Sequence, residues 1–393
     1  MIFQTLDGKK KCTNVYVNNK IYDEIPEGLT GTWSYNSSTP GVDCANLYCG
    51  GQTIDSVCPP ELENRWKASN DKMKAFMNSF IQSKIDLNQH CFYDLVPGHF
   101  LLEFYEIKNK ITEHVFENYK KPENYDFLLE LAKKAEEIKN QPLNINVLKL
   151  NDKKHEFVAR NFLKKIKKTE PYIKYNIFGT KTGRLTTKPN SFPILTLKKE
   201  YRSILKPNND LFVELDYNAA ELRVLLALMN MEQPKEDIHA WNAKNIFRGL
   251  VTRKEAKERI FAWLYNPDSK DRLANRAYDK ANIKEKYWDG KIVKTPFGRE
   301  IKADEFHALN YLIQSTTADL VLRQMIKVAD LLKNVKSYVA FIIHDSIVID
   351  FAKEDKGLIS EINEAFKQNR FGEYRTSVSI GKNFGDMREV KCT

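Results

Sequence analysis

The stretch Leu211-Phe-Val-Glu-Leu-Asp216-Tyr-Asn-Ala-Ala-Glu221-Leu-Arg223 constrains this chain more than any other. An apolar strand runs into Asp216, and a second carboxylate, Glu221, follows inside the first turns of a helix. A strand end fixes the direction of a carboxylate while leaving room beside it for an ion. Far downstream, Val339-Ala-Phe-Ile-Ile-His344-Asp345-Ser346-Ile-Val-Ile-Asp350 repeats the arrangement. Two apolar runs broken only by His-Asp-Ser predict a buried β-hairpin with its polar tip at the turn. A single Asp after an apolar strand serves equally well as a turn residue or helix cap. Two such tips could share a pair of metal ions.

Between these segments, Arg253-Lys-Glu-Ala-Lys257-Glu-Arg-Ile-Phe261-Ala-Trp-Leu-Tyr265 places Arg253, Lys257, Phe261 and Tyr265 at i, i+4 intervals, one stripe along one helix face. Its cationic half suits a triphosphate, and its aromatic half suits a sugar and a base. An amphipathic helix with an ion pair and a core aromatic would show the same spacing. Asn266-Pro267 ends that helix, because Pro267 has no amide hydrogen and disfavours helix at the residue before it.

Two further segments complete the pattern: Thr180-Lys-Thr-Gly183-Arg184-Leu-Thr-Thr187, followed by Pro189-Asn190 and Phe192-Pro193, and Ala308-Leu-Asn310-Tyr-Leu-Ile-Gln314-Ser-Thr-Thr-Ala318-Asp319. DYNAAELR resembles motif A, and HDS in its apolar hairpin resembles motif C, of the family A DNA polymerases, the DNA polymerase I-like enzymes. The other three are similar to that family's nucleotide-binding helix and to the stretches before motifs A and C. The resemblance is close over residues 176 to 393 and fades upstream.

It implies an α+β right-hand polymerase fold, with an antiparallel palm sheet, helical fingers and a helical thumb. The implied domains are an N-terminal region of unknown role (1-60), a thumb-like helical region (61-175), palm (176-225), fingers (226-309) and palm again (310-393). The implied activity is template-directed addition of dNTPs to a primer 3′ end, with primer-template DNA and dNTPs as partners. Two Mg²⁺ ions would be bridged by Asp216 and Asp345, with the Tyr217 carbonyl completing a site; an all-oxygen shell fits magnesium rather than zinc. Arg253 and Lys257 would hold phosphates, Phe261 the sugar and Tyr265 the templating-base position. His239, in Asp237-Ile238-His239, would meet the β- or γ-phosphate. Arg184, Asn310, Gln314 and His344 match positions near the growing primer end. Glu221 would obstruct a ribose 2′ hydroxyl, which argues for deoxynucleotides over the related single-chain RNA polymerases or a primase. An inactive, accessory nucleic-acid-binding protein would be expected to have lost Asp216, Asp345 or Lys257.

The chain departs from the pattern in places. The family's motif C usually reads His-Asp-Glu, and here Ser346 stands for the glutamate, a hydroxyl without charge. Phe306 stands where an arginine is common, and Asn218-Ala219-Ala220 replaces a more polar stretch. The 60 or so residues before the helical region show no Asp-x-Glu strand and are too short for an exonuclease domain. Proofreading is therefore expected from a separate exonuclease chain, and a processivity factor is a further expected partner. A polymerase module of this kind is similar to phage enzymes.

Composition agrees. Of 393 residues, 62 are Lys or Arg against 52 Asp or Glu, a formal charge of +10 that favours a polyanion. The run Lys164, Lys165, Lys167, Lys168 beside the TGRL segment is either a solvated face or a phosphate contact. No apolar run reaches the roughly 18 residues of a membrane span, and the N-terminus, with Asp7 and Lys9 to Lys11, lacks a signal core, so a cytoplasmic protein is expected. Of the six cysteines, Cys44, Cys49 and Cys58 are spaced too loosely for a structural zinc, and reduced thiols are expected throughout.

Overall fold

The computed structural model describes residues 2, 4–5, 14–85, 90–266 and 269–390. Asp7, Lys9 to Lys11, Cys12, Pro267 and Cys392 fall outside the described residues, and so does the expected helix stop at Pro267. The chain divides into two compact units, Met1–Glu136 and Glu137–Thr393.

The first unit is built on three helices, α1 (Pro60–Gln82), α2 (Gly98–Asn118) and α3 (Tyr125–Lys139), the last running just past its boundary. Pro60 opens α1, where a missing amide hydrogen removes no helical bond. The apolar residues of α1 and α2 at three and four spacing meet in one aromatic-rich core containing Trp66, Phe80, Phe100, Phe104, Ile107 and Ile111. The Trp66 indole donates to Asp55 Oδ1 at 2.7 Å, so its one polar atom is satisfied. Upstream, Val15–Val17 and Lys20–Tyr22 form a hairpin whose turn residues, Asn18 and Asn19, both have positive φ (47° and 61°), as a two-residue turn of the primed kind requires.

Cys44, Cys49 and Cys58 are free. Burial pushes Cys44 up to about 12 and Cys58 up to about 11, so both stay protonated thiols. Cys91 corrects the expectation of reduced thiols throughout, because it is disulfide-bonded.

The second unit is organised by one antiparallel sheet. Its first strand in the chain is β1 (Leu211–Tyr217), followed by α4 (Ala220–Leu228), α5 (Ile238–Asn245) and α6 (Arg253–Tyr265). The long helix α7 (Ala308–Leu331) then leads to the hairpin β2 (Tyr338–Ile343) and β3 (Ser346–Phe351). Helix α8 (Ile359–Lys367) and strands β4 (Thr376–Gly381) and β5 (Arg388–Val390) close the chain. The strand order is β2-β3-β1-β4-β5, with β1 in the centre. Alternation along β1 sends Val213, Leu215 and Tyr217 to one face and Phe212, Glu214 and Asp216 to the other. On the first face Tyr217 stacks on Phe366 of α8 with centroids 4.3 Å apart, and its hydroxyl donates to the Phe366 carbonyl.

The expected hairpin is present, and the TGRL segment is anchored to it. Tyr175–Asn176 pairs with Thr186–Thr187 around this loop, and the Tyr175 hydroxyl donates to the Ile342 carbonyl at 2.6 Å while accepting from the Ile342 amide at 2.9 Å. Gly183 has φ +76°, and a Cβ built there would sit 2.6 Å from the Arg299 guanidinium. Arg299 cannot easily yield, because it makes a two-pronged pair with the fully buried Asp319 of α7 (3.1 and 2.7 Å). Gly290 has a similarly positive φ of 96° but open space around it. Gly183→Ala is expected to destabilise the fold by about 2–4 kcal/mol, combining backbone strain with the clash, and Gly290→Ala by only about 1 kcal/mol from strain alone. Urea unfolding of the two variants measures the difference, and equal losses would mean that the guanidinium does not restrict position 183.

Candidate active site

Asp216, next to last in β1, stands directly across from Ser346 of β3 on one side and Ser377 of β4 on the other. The β2–β3 hairpin closes through only His344 and Asp345, with Ile343 paired to Ser346. His344 takes a left-handed φ of 52°, an unfavourable conformation for a residue with a Cβ, and is exposed. The register therefore sets the hairpin tip beside the end of β1, and the two expected carboxylates come together.

Helix α4 starts immediately after. Ala219, its N-cap, is left-handed (φ 52°), a second strained position within this short region. The turn is held by Arg223, whose side chain is fully buried. Its guanidinium donates to the Asn218 carbonyl (2.9 Å), Asn218 Oδ1 (3.3 Å), the Pro234 carbonyl (2.9 Å) and the Glu236 carbonyl (3.1 Å). Asn218 in turn donates to Asp237 Oδ2 at 2.8 Å and accepts from the Ile238 amide at 3.1 Å. Asn218 and Arg223 thus tie motif A to the start of α5, a structural role that neither suggested in the sequence.

Glu221 lies in the first turn of α4, buried, and forms an ion pair with Arg184 of the TGRL loop. A cavity of about 300 Å³ is lined by Arg184, Glu221, His344 and Asp345, with Ala318, Val321 and Leu322 of α7 along one wall. Asn310 and Gln314 occupy the same α7 face as Ala318 at i, i+4 steps and are partly exposed.

Burial raises all three carboxylates of this region above their ordinary range. Burial pushes Asp216 up to about 7, helped by the charges of Glu214 and then Asp345. Burial likewise raises Glu221 to about 7, with Arg184 opposing the shift and Asp345 adding to it. Asp345 is raised by burial against the favourable charges of Arg184 and His344. Such carboxylates are short of positive charge. Among the described residues, no three His, Cys, Asp or Glu side chains converge as a closed ion cage. A pair of carboxylates suits Mg²⁺, which keeps several waters and shares its shell with substrate phosphates. The Tyr217 side chain points to the α8 face, so only its backbone could serve an ion here.

The stripe on α6 is present as expected. Thr252 and Glu255 form a reciprocal capping box, with the Thr252 hydroxyl accepting from the Glu255 amide at 3.3 Å and Glu255 Oε2 accepting from the Thr252 amide at 2.7 Å. Ala256, Ile260, Trp263 and Leu264 are buried on one side, while Arg253, Lys257 and Tyr265 are exposed and Phe261 partly so. Phe261 and Tyr265 lie parallel with centroids 5.9 Å apart, and the Lys257 ammonium lies 6.0 Å from the Phe261 ring centre. Arg253 is engaged: it donates to both carboxylate oxygens of Asp237 at 3.0 and 2.7 Å. Asp237 also caps α5 through the His239 and Ala240 amides. These partners hold Asp237 well below the usual carboxylate range although burial works against them. His239 is buried beside Phe261 (5.6 Å), and its Nδ1 has no hydrogen-bond partner. The four lysines at 164, 165, 167 and 168 are exposed around the buried Ile166.

No family model matches the chain. The curated relatives it is similar to include DNA polymerase I of Borreliella burgdorferi, 24% identical over 265 residues, which is 53% of this chain and 29% of the relative. DNA polymerase I of Caldicellulosiruptor bescii is 25% identical over 244 residues, 49% of this chain and 29% of the relative. The chain thus spans under a third of either relative. Among solved structures, the POL domain of Pol1 from M. smegmatis, in complex with DNA primer-template and dNTP, superposes with a TM-score of 0.67 at 12% identity, covering 89% of this chain and 83% of that one. This chain has the family A polymerase fold. The sheet of the second unit is the antiparallel palm sheet of that fold, and among the described residues no helix is long and apolar enough to cross a membrane.

His239 offers a test of the α5–α6 packing in this polymerase fold. Burial lowers it from 6.5 to about 4, with Lys257, Arg253 and Arg223 adding to the effect and Asp237 opposing it. Between pH 6.5 and about 4 the unfolded chain binds a proton that folded His239 refuses, so stability drops as the pH is lowered through that window, by at most about 1.4 kcal/mol per unit. His239→Gln should lose less stability than wild type between pH 7 and pH 5, measured by urea unfolding. An identical loss in both proteins would place His239 in water instead.

Proposed function

We propose that this chain is a template-directed DNA polymerase that adds dNTPs to a primer 3′ end. The observation that carries this reading is the register that sets Asp216 beside the β2–β3 hairpin tip, whose Asp345 lines a cavity together with Glu221 and Arg184. In the reaction the primer 3′ oxygen bonds to the α-phosphorus of the nucleotide, the bond from that phosphorus to the β-bridging oxygen breaks, and pyrophosphate leaves.

Asp216 and Asp345 would hold two Mg²⁺ ions, with the Tyr217 carbonyl contributing to one site. The chemistry such ions would supply there is a lower pKa for the attacking hydroxyl and neutralised charge on the leaving group. The rest is positioning. Lys257 and Arg253 bind the triphosphate from α6, Arg253 exchanging or sharing its Asp237 partner. His239, neutral and with Nδ1 unpartnered, orients a phosphate oxygen by hydrogen bonding. Phe261 packs on the sugar, and Tyr265 stands at the templating base. Arg184, Asn310, Gln314 and His344 read the terminal base pair through the minor groove, where acceptors on all four bases occupy similar places. Helices α1 to α3 would serve as the thumb and the lysines around Ile166 as phosphate contacts. Glu221, braced by Arg184, fills the space of a ribose 2′ hydroxyl.

Primer extension tests this directly. Asp216→Asn and Asp345→Asn should each slow single-nucleotide incorporation by about a thousandfold or more, while Ser346→Ala should cost far less. Retained activity in either aspartate variant would remove the reading. Glu221→Ala should admit ribonucleotides, with some loss on dNTPs, and should also leave Arg184 without its partner. An unchanged ratio of ribonucleotide to deoxynucleotide incorporation would show that Glu221 does not border the sugar.

A further inference from the structure

Glu214 is absorbed by none of the roles above, yet its position is specific. It lies two residues before Asp216 on the same face of the central strand, because side chains alternate along β1. Ser346, the residue directly across from Asp216, is the diagonal neighbour of Glu214, whose own partner is Val348. The Ser346 hydroxyl donates to Glu214 Oε1 at 3.1 Å and lies equally close to the Ile343 carbonyl. Ser346 is itself buried, and Glu214 is partly buried. A carboxylate inside a largely apolar central strand is costly unless something answers its charge. The neutral hydroxyl of Ser346 satisfies one lone pair and leaves that charge uncompensated.

Building on the polymerase reading, we propose that Glu214, oriented by Ser346, supplies the third negative charge of the cation site formed by Asp216 and Asp345. The hairpin has a hydroxyl where motif C of similar enzymes has a glutamate, and the acid it bonds stands on the neighbouring strand. Since no three acidic groups converge as a closed cage among the described residues, Glu214 acts through its field and through water bound to the ions, as a positioning residue. It also explains why Ser346 faces this pair of strands rather than solvent.

Glu214→Gln keeps the acceptor for Ser346 and removes only the charge. With the full chain on a primer-template carrying a dideoxy-terminated primer and the correct dNTP, free Mn²⁺ is counted by electron paramagnetic resonance. Glu214→Gln should weaken Mn²⁺ binding by about five- to twentyfold and raise the Mg²⁺ concentration needed for half-maximal extension, with an unchanged urea midpoint. The double variant Glu214→Ser with Ser346→Glu should recover most of the binding. If Glu214→Gln binds Mn²⁺ as wild type does while Asp216→Asn binds it weakly, Glu214 is only a structural partner of Ser346 and the proposal falls. If Asp216→Asn also binds normally, it is the polymerase reading of the site that fails. A double variant that folds but stays as weak as Glu214→Gln would mean that the charge is not interchangeable between the strands, which also overturns the proposal.

Discussion

The site depends on the register between β1 and β3. Asp216 meets Ser346 because Leu215 pairs with Ile347, Val213 with Ile349 and Leu211 with Phe351, so apolar side chains fill the core on both strands. A slip of one residue would turn Asp216 toward the α8 side and bring Leu215 or Tyr217 opposite Ser346, burying a carboxylate against Phe366. The hydrophobic core therefore fixes the distance between motif A and the hairpin tip. At the far end of β3 another acid serves the same register: Asp350 accepts from the Asn208 and Asn209 amides at 2.6 and 2.8 Å and clamps the turn that enters β1.

The same core creates the electrical problem that a cation would resolve. Asp216, Asp345, Glu221 and Glu214 lie close enough for their charges to be felt, and Arg184 offsets part of that charge through its pair with Glu221. Two left-handed non-glycine residues, Ala219 and His344, flank the carboxylates, and such strain persists only where surrounding structure holds it. Here Arg223 provides that hold on one side through four backbone and side-chain acceptors, and the two-residue hairpin provides it on the other.

Much of this was legible in the sequence because it follows from periodicity. The alternating run at 211 to 217, the two apolar arms around His344 and Asp345, and the i, i+4 stripe on α6 all formed where the pattern placed them. Other features depend on pairings between distant segments, which no local pattern encodes. The grip of Asp237 on Arg253, the burial of Arg223 under the loop at 234 to 236, and the Arg299–Asp319 pair over Gly183 are of this kind. Glu214 had a local signal, since an acid two residues from Asp216 on a strand must share its face. Its bond to the Ser346 hydroxyl crosses to the other strand, which no local pattern encodes. The disulfide at Cys91 had no signal in composition.

The central claim is that the Asp216 and Asp345 carboxylates, joined by the β1–β3 register, form the cation site at which a nucleotide is added to a primer. Anomalous diffraction from Mn²⁺ in crystals of the full chain with a primer-template, a dideoxy-terminated primer and the next correct dNTP measures this directly. The account predicts two manganese peaks about 4 Å apart between these carboxylates, one of them also touching the triphosphate. Manganese bound elsewhere, or a triphosphate seated away from Asp216 and Asp345, would contradict it.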